Sequence, residues 1–147
     1  MATVRSHVFV VRDGRILALQ QAQGWRWWEL PGGGLEIGED AAQAAVRETL
    51  EEAGLSIDAP ELLRAWSYRN SRDCEVPCYA YAASALSGDV RLSDEHSAYE
   101  WMTIDAYVER SCAELITAAS PPFARLFLAG IRENCFLFRE WLRIRGA

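Results

Sequence analysis

The chain has 147 residues, of which 50% are hydrophobic and 24% charged, a composition typical of a globular protein. Its net charge of -6 and pI near 5.0 argue against broad electrostatic binding of a long nucleic acid. The sequence has neither a signal-peptide pattern nor an apolar run of membrane-spanning length. We therefore expect one domain over residues 1–147, located in the cytoplasm, with no membrane partner.

The first elements predicted in chain order are the two strands of a hairpin. The segment "VRSHVFVVRDGRILALQQA" is interrupted by Asp13-Gly14, a strong two-residue turn signal. The segment "GWRWWELPGGG" then reads as a loop ending in Pro31 and the glycines of 32–34. We expect this to be the most flexible loop, one that can approach a ligand closely.

A helix is predicted next, from Asp40 as its N-cap to about Ala53, with Gly54 as its C-terminal stop. At roughly 100° per residue, its three glutamates fall within one third of its circumference. These are Glu48, Glu51 and Glu52. The opposite side carries the apolar residues that are predicted to pack on the sheet, Ala42, Val46, Leu50 and Ala53.

The remaining predicted elements are three strands and a helical C-terminal region. The strands are "ELLRAWSYRN" at 61–70, "VPCYAYAASAL" at 76–86 and "SAYEWMTI" at 97–104. Apolar residues at helical spacing follow Pro121. This helix is predicted to pack on the sheet, and a homodimer contact is the alternative. One central helix among strands, with helices at the end, favours an α/β or α+β sandwich.

The glutamate-rich side of the central helix suggests a metal site. Its alternative interpretation is the solvated face of an amphipathic helix. The negative charge lies in the C-terminal half, however, where the helix dipole disfavours it. Arg47, four residues before Glu51, can offset only part of the repulsion. A divalent cation with oxygen ligands accounts for both the charge and the glycines before it.

The same residues resemble the Nudix box of the Nudix hydrolases. The matching pattern runs over residues 33–55 and ends in "RETLEEAGL". Its fixed positions are all present: Gly33, Glu39, Arg47, Glu48, Glu51, Glu52 and Gly54. Thr49 departs from the pattern, since the family more often has an aliphatic residue there. The hairpin, "WELPGG" and "DEHSAYEW" extend a weaker resemblance over most of the chain.

The resemblance implies a Nudix-type α/β/α sandwich with a mixed β-sheet and a catalytic loop-helix. It implies a Mg²⁺- or Mn²⁺-dependent hydrolase that cleaves pyrophosphate linkages in a nucleoside diphosphate joined to another group. The partner is then a phosphorylated small molecule, and nucleoside triphosphates, dinucleoside polyphosphates and sugar nucleotides are all candidates. The alternative is a non-catalytic Nudix fold that binds nucleotides or proteins, although such modules generally lose glutamates that this chain keeps.

The resemblance also implies roles for individual residues. Glu51 and Glu52 look like metal ligands, and Glu48 looks like a ligand or the base that activates water. Arg47 would orient these carboxylates. Gly32 belongs to the loop whose carbonyl can also reach the metal.

Other residues complete the motif. Gly33 would form the same loop as its neighbour, Gly54 would end the helix, and Glu39 would have a mainly structural part at the helix entry. Glu95 lies where similar proteins often place a glutamate that binds metal or acts as a general base; its alternative is a solvated turn residue. His96 is expected to be structural.

Substrate contacts are predicted on both sides of the Nudix box. Trp27 could stack on a nucleobase, although ordinary packing is the alternative. Tyr68 and Arg64 lie in the segment where related enzymes build substrate pockets. An Arg there could bind phosphate, or could be solvated surface charge.

Overall fold

The computed structural model describes residues 3–111 and 117–145, which form one mixed sheet between helices. The strands are β1 Arg5–Arg12, β2 Arg15–Gln21, β3 Trp28–Glu29, β4 Gly32–Gly34, β5 Glu61–Arg69, β6 Glu75–Ser84 and β7 His96–Met102. The helices are α1 Ala41–Ala53, α2 Ile104–Arg110 and α3 Pro122–Arg145.

The sheet is mixed because β1 pairs in parallel with β6, whereas the other strand pairs are antiparallel. The strand order is β3-β2-β1-β6-β5, with β4 also pairing with β1 and β7 with β2. Strand β1 therefore lies at the centre of the sheet. Strand β2 pairs with both β3 and β7, which are far apart in sequence.

Strand β1 separates two hydrophobic layers. Val8 and Val10 point to the layer beneath α1. Phe9 and Val11 point to the opposite layer, which α2 and α3 cover. Alternate residues of one strand thus contribute to both cores, as the two-residue period of a strand requires. The predicted α/β/α arrangement is confirmed.

Helix α1 begins and ends where local sequence signals predict. Asp40 accepts a hydrogen bond from the Gln43 backbone at 2.8 Å, and the Gln43 side chain accepts one from the Asp40 backbone at 2.9 Å. Gly54 adopts a left-handed φ of 68° and donates to the Leu50 carbonyl at 3.0 Å. These reciprocal and left-handed caps satisfy backbone groups that the helix ends would otherwise leave without partners.

The predicted packing face of α1 is only partly correct, since Ala53 is buried and Ala42 packs against the core but the two larger apolar residues do not. Val46 is 38% exposed and Leu50 is 53% exposed, so neither contributes to the core. The buried residues of α1 are Ala41, Ala44, Ala45, Thr49, Glu52 and Ala53. This face is mostly small side chains, which let the helix approach β1 and β4 closely. The prediction failed for Val46 and Leu50 because it included these larger apolar residues in the packing face.

The predicted glycine loop is instead strand β4. It pairs with β1 in antiparallel register, with Gly32 opposite His7 and Gly33 opposite Ser6. A Cβ at Gly32 would lie 2.2 Å from the Ser6 carbonyl oxygen, so a side chain does not fit there. The glycines therefore serve close packing of backbone and side chains rather than loop flexibility.

The structure adds a helix to the elements predicted for the C-terminal half. The strand predicted over 97–104 ends at Met102, because Thr103 accepts the Ala106 backbone N–H at 3.2 Å and caps the unpredicted helix α2. Helix α3 packs on β5, where the absence of a side chain at Gly130 leaves room for the ring of Trp66.

Within the described ranges, none of the helices combines the length and apolar character that a membrane crossing requires.

Candidate active site

Arg47 donates hydrogen bonds to two glutamates of α1 and to one that precedes the helix. Its guanidinium donates two hydrogen bonds to Glu39, at 2.7 and 3.0 Å, and one to the Gly34 carbonyl at 3.0 Å. Its Nη1 atom lies 3.1 Å from one oxygen of Glu48 and 3.1 Å from one oxygen of Glu51. The predicted pairing of Arg47 with Glu51 is therefore present, as one contact of a larger network.

The network affects the carboxylates it contains. The hydrogen bonds that Arg47 donates to Glu39 lower the pKa of Glu39 and raise the pKa of Arg47. Glu39 thus remains ionised and fixes the guanidinium at the start of the helix. Glu51 is different, because its side chain is 56% exposed and Arg47 is the one ionic partner found for it among the described residues.

Glu52 is the buried carboxylate of the site. Its side chain is 6% exposed, and one oxygen accepts the Gly32 backbone N–H at 2.8 Å. Burial raises its pKa to about 8, and the negative charges of Glu48, Glu29 and Glu95 act in the same direction. Glu52 is therefore a carboxylate that a nearby cation would favour in its ionised form.

Glu48 lies against the glycine strand. A Cβ on Gly33 would lie 2.5 Å from Glu48 Oε1, so the missing side chain makes room for the carboxylate. Burial raises the pKa of Glu48, while Arg47 opposes that rise. The glycine at this position of the Nudix box thus has a steric reason to be there.

The Gly33→Ala variant should displace Glu48 without unfolding the protein, because the clash is with the far end of a flexible side chain. We expect divalent-metal affinity to fall by about ten-fold or more, the effect of disturbing groups that orient ligands. Gly34→Ala is the matched control, since its Cβ would first meet Thr3 Cγ2 at 3.0 Å. Calorimetric metal titration of both variants tests this; equal affinities would contradict it.

Glu95 and His96 complete the cluster from the other side. One potential ligand atom each from Glu52, Glu95 and His96 lies within 4.8 Å of the others. Glu95 is exposed, whereas His96 is 5% exposed. The sequence-based expectation that His96 is merely structural missed this proximity, and Glu95 lies beside the carboxylates rather than in an isolated turn.

The donor set fits a hard divalent cation. Carboxylate oxygens are the ligands that such cations prefer. Burial raises the pKa of both Glu48 and Glu52, and a bound cation would stabilise their ionised forms. Glu51 stands at the exposed edge of the same helix side. The Gly32 N–H is engaged by Glu52, and metal binding by the Gly32 carbonyl stays a prediction.

An aromatic cavity of about 190 Å³ adjoins the carboxylates. Trp27, Tyr68 and Glu29 line it. The negative charge of Glu29 also helps to raise the pKa of Glu52, which connects the cavity with the carboxylates. Phe127 from α3 lies between the two rings, 6.4 Å from Trp27 and 4.9 Å from Tyr68 between ring centroids. The Nε1 atom of Trp27 is buried without a hydrogen-bond partner in the described part of the chain.

A second cavity of about 420 Å³ is lined by the same rings. It shares Trp27, Tyr68 and Phe127 with the first cavity. Trp25 lines it too and is 73% exposed. The described residues therefore offer two aromatic spaces with a shared wall.

Arg64, a predicted substrate contact, binds groups of α3 in the structure. Its guanidinium donates to the Gly130 carbonyl at 3.2 Å and to Asn134 Oδ1 at 3.1 Å, and it lies over the ring of Trp66. It does not line either cavity. These contacts join β5 to α3, and phosphate binding by Arg64 stays a prediction.

The structure adds residues that the sequence analysis missed. Arg5 and His7 line the cavity because they lie on the same side of β1 as Phe9. Two-residue alternation along β1 could have placed them there. Glu29 and His96 meet because β3 and β7 both pair with β2, opposite Leu19 and Gln21. No local signal predicts that meeting.

A family model and several known proteins are similar to this chain. A family model described as the NUDIX domain matches residues 2–126. A MutT-like protein of Streptomyces ambofaciens is 35% identical over 103 residues, covering 70% of this chain and 64% of that protein. An asymmetrical bis(5'-nucleosyl)-tetraphosphatase of Sus scrofa is 36% identical over 96 residues, covering 60% and 64%.

Solved structures share the fold. A MutT NUDIX hydrolase from Burkholderia pseudomallei superposes with a TM-score of 0.63 at 30% identity, over 70% of this chain and 84% of that one. A C. elegans Ap4A hydrolase binary complex gives a TM-score of 0.71 at 23% identity, over 97% and 98%. The chain thus spans just under two thirds of the curated relatives' length but nearly all of one relative's fold. With the motif glutamates gathered around Arg47 and a domain match over most of its length, the chain belongs to the Nudix family.

Proposed function

We propose that this protein is a divalent-metal-dependent hydrolase that cleaves pyrophosphate linkages in nucleoside diphosphate derivatives. The observation that supports it most is that Glu48 and Glu95 lie close enough to Glu52 to raise its pKa. Glu29 acts on Glu52 in the same way and also lines the aromatic cavity. The alternative of a non-catalytic binding module has no support in a chain that keeps every glutamate of the motif.

The proposed cofactor is Mg²⁺ or Mn²⁺. Glu48, Glu51 and Glu52 would hold it, with Glu95 and the Gly32 carbonyl as further candidate ligands. A bound cation of this kind neutralises phosphate charge and acts as a Lewis acid toward the phosphoryl group. Carboxylates alone would repel the substrate, which is the physical reason for proposing the cation.

The remaining chemistry is proposed for this chain's own side chains. Glu48 and Glu95 are the candidate bases that accept a proton from the attacking water. Glu48 suits this role because burial raises its pKa while Arg47 fixes its position. Arg47 positions the carboxylates through its contacts with Glu39 and Glu51, and does not itself need to contact substrate.

The nucleoside part of the substrate is proposed to occupy the aromatic cavity. Trp27 and Tyr68 offer ring faces there, and stacking on aromatic rings suits any nucleobase. Arg5 is a cation on the same wall and a candidate contact for phosphate. The adjoining second cavity could take a further nucleoside, which makes dinucleoside polyphosphates the first substrates to test.

Hydrolysis of a panel of nucleoside triphosphates, dinucleoside polyphosphates and sugar nucleotides tests this proposal. Anion-exchange chromatography of the products should show cleavage between phosphates of at least one compound with Mg²⁺ or Mn²⁺ present. A panel that stays intact, from a protein shown to be folded and to bind metal, would overturn the proposal and favour a binding module.

Tyr68→Ala should weaken substrate binding more than chemistry, because Tyr68 lines the cavity and belongs to no carboxylate contact among the described residues. We expect KM to rise about ten-fold, which corresponds to the loss of one stacked base, while kcat changes little. Leu62→Ala, an exposed change on the same strand, is the control. A fall in kcat at unchanged KM would contradict the assignment.

We also propose a cytoplasmic protein that acts on small molecules. Cys74, Cys78 and Cys135 carry free thiols, as expected in a reducing compartment.

The homodimer remains part of the proposal, with the exposed Leu126 and Phe136 of α3 as the candidate contact. Sedimentation equilibrium of the purified chain decides it.

A further inference from the structure

His96 has a ring nitrogen directed at the carboxylate cluster. Its side chain is 2% exposed, and Nε2 lies 2.8 Å from Glu29 Oε1. Its Nδ1 atom lies 3.8 Å from Glu52 Oε2. That nitrogen is buried and has no hydrogen-bond partner in the described part of the chain. A buried polar atom without a partner is rare in folded proteins and calls for a physical explanation.

The contact with Glu29 sets the tautomer of a neutral ring. A carboxylate can only accept, so Nε2 carries the proton and Nδ1 keeps its lone pair. Histidines that bind metals typically have this arrangement, with the second ring nitrogen donating to a carboxylate or a carbonyl. Gln21 donates to the other oxygen of Glu29 at 3.0 Å, which fixes the carboxylate in turn.

We propose that His96 Nδ1 is a metal ligand, acting with Glu52 and Glu95, and that this nitrogen makes the site favour first-row transition ions over Mg²⁺. The three potential ligand atoms already lie within 4.8 Å of one another. Imidazole nitrogen binds Mn²⁺, Co²⁺ and Zn²⁺, whereas Mg²⁺ takes oxygen ligands. The glutamate set implied by the Nudix box contains no histidine. The inference rests on the proposed function only through its metal requirement.

A purely structural role predicts a different outcome. A doubly protonated His96 could bridge Glu29 and Glu52 by charge alone, with Nδ1 as a donor. In that case no nitrogen would bind metal, and the ion would be held by oxygen atoms only. The distinction is therefore a matter of which atoms surround the bound ion.

Pulsed electron paramagnetic resonance of the Mn²⁺-loaded protein makes that distinction. We expect a ¹⁴N coupling of directly bound imidazole, replaced by a ¹⁵N coupling when the wild-type protein is labelled with ¹⁵N-histidine. The chain contains two histidines, His7 and His96. The coupling should persist in His7→Gln and vanish in His96→Gln. The labelled His7→Gln protein, whose single histidine is His96, gives the answer even if His96→Gln fails to fold.

Metal selectivity supplies a second readout. In His96→Gln, Co²⁺ affinity should fall by about ten-fold or more while Mg²⁺ affinity changes by less than about three-fold. Equal losses for both ions, or Mn²⁺ bound with oxygen couplings alone, would overturn the inference and leave the proposed function standing. A wild-type protein that binds no divalent ion would overturn both.

Discussion

Glu52→Gln is expected to make the metal-free protein more stable and the enzyme nearly inactive. The change removes a charge that burial and three neighbouring glutamates disfavour. The amide oxygen can still accept the Gly32 N–H. Turnover should nevertheless fall by about a hundred-fold or more, because electrostatic stabilisation is usually the largest catalytic contribution. Thermal melts in EDTA and steady-state rates measure the two effects.

The pH dependence of unfolding gives an independent check on Glu52. Its pKa is raised from 4.5 to about 8 in the folded protein, so the folded state binds more protons than the unfolded state between these values. The unfolding free energy of the metal-free protein should therefore decrease as pH rises through that window. Glu52→Gln should flatten this decrease, whereas saturating metal should favour the ionised form.

Glu51→Gln is the matched control for Glu52→Gln. The Glu51 side chain is 56% exposed, so removing its charge should change the stability of the metal-free protein less than removing the buried carboxylate of Glu52. The metal affinity of the Glu51→Gln variant should fall less than that of the Glu52→Gln variant. If both variants melted at lower temperature in EDTA yet hydrolysed substrate normally, the glutamates would serve the fold and not catalysis.

Arg47→Ala is expected to produce the second large effect, a loss of both stability and turnover. The guanidinium contacts Glu39, Glu48 and Glu51, and removing it leaves these carboxylates without their shared cation. Breaking such a partly buried network should cost about 3 kcal/mol of unfolding free energy. Turnover should fall as the carboxylates lose their mutual geometry. Chemical denaturation and steady-state kinetics check both expectations.

Arg47→Lys separates charge from geometry. An ammonium keeps the positive charge but cannot match the two-point contact with Glu39. We expect part of the lost stability to return while turnover stays at least about ten-fold below wild type. Arg143→Lys, at an exposed ion pair with Glu140, should change neither quantity. Full recovery of turnover by the lysine variant would show that positioning by Arg47 is not needed.

Features set by neighbouring residues were predictable from the sequence. Helix α1 begins after Asp40 and ends before Gly54 because both residues cap it through contacts with residues close in sequence. Asp13-Gly14 forms the turn of the first hairpin. The grouping of the glutamates with Arg47 also follows from helical spacing together with the family pattern. Such signals depend little on the rest of the fold.

Features set by tertiary packing were not predictable in the same way. Val46 and Leu50 are the bulkiest apolar residues of α1, yet alanines face the sheet because the helix approaches the glycine strand closely. Arg64 was predicted to contact phosphate or solvent, and neither alternative included its hydrogen bonds to the Gly130 carbonyl and Asn134 of α3. The sequence does not show which partner lies across from a side chain, and that partner decides its role.

The central claim is that the gathered carboxylates exist to bind a divalent cation for pyrophosphate hydrolysis. Its most direct test is turnover of the best substrate from the panel after EDTA treatment, before and after Mg²⁺ or Mn²⁺ is added back. The account predicts no turnover in excess EDTA and full recovery with either ion, because carboxylates repel a polyphosphate unless a cation lies between them. Undiminished turnover in excess EDTA would contradict it.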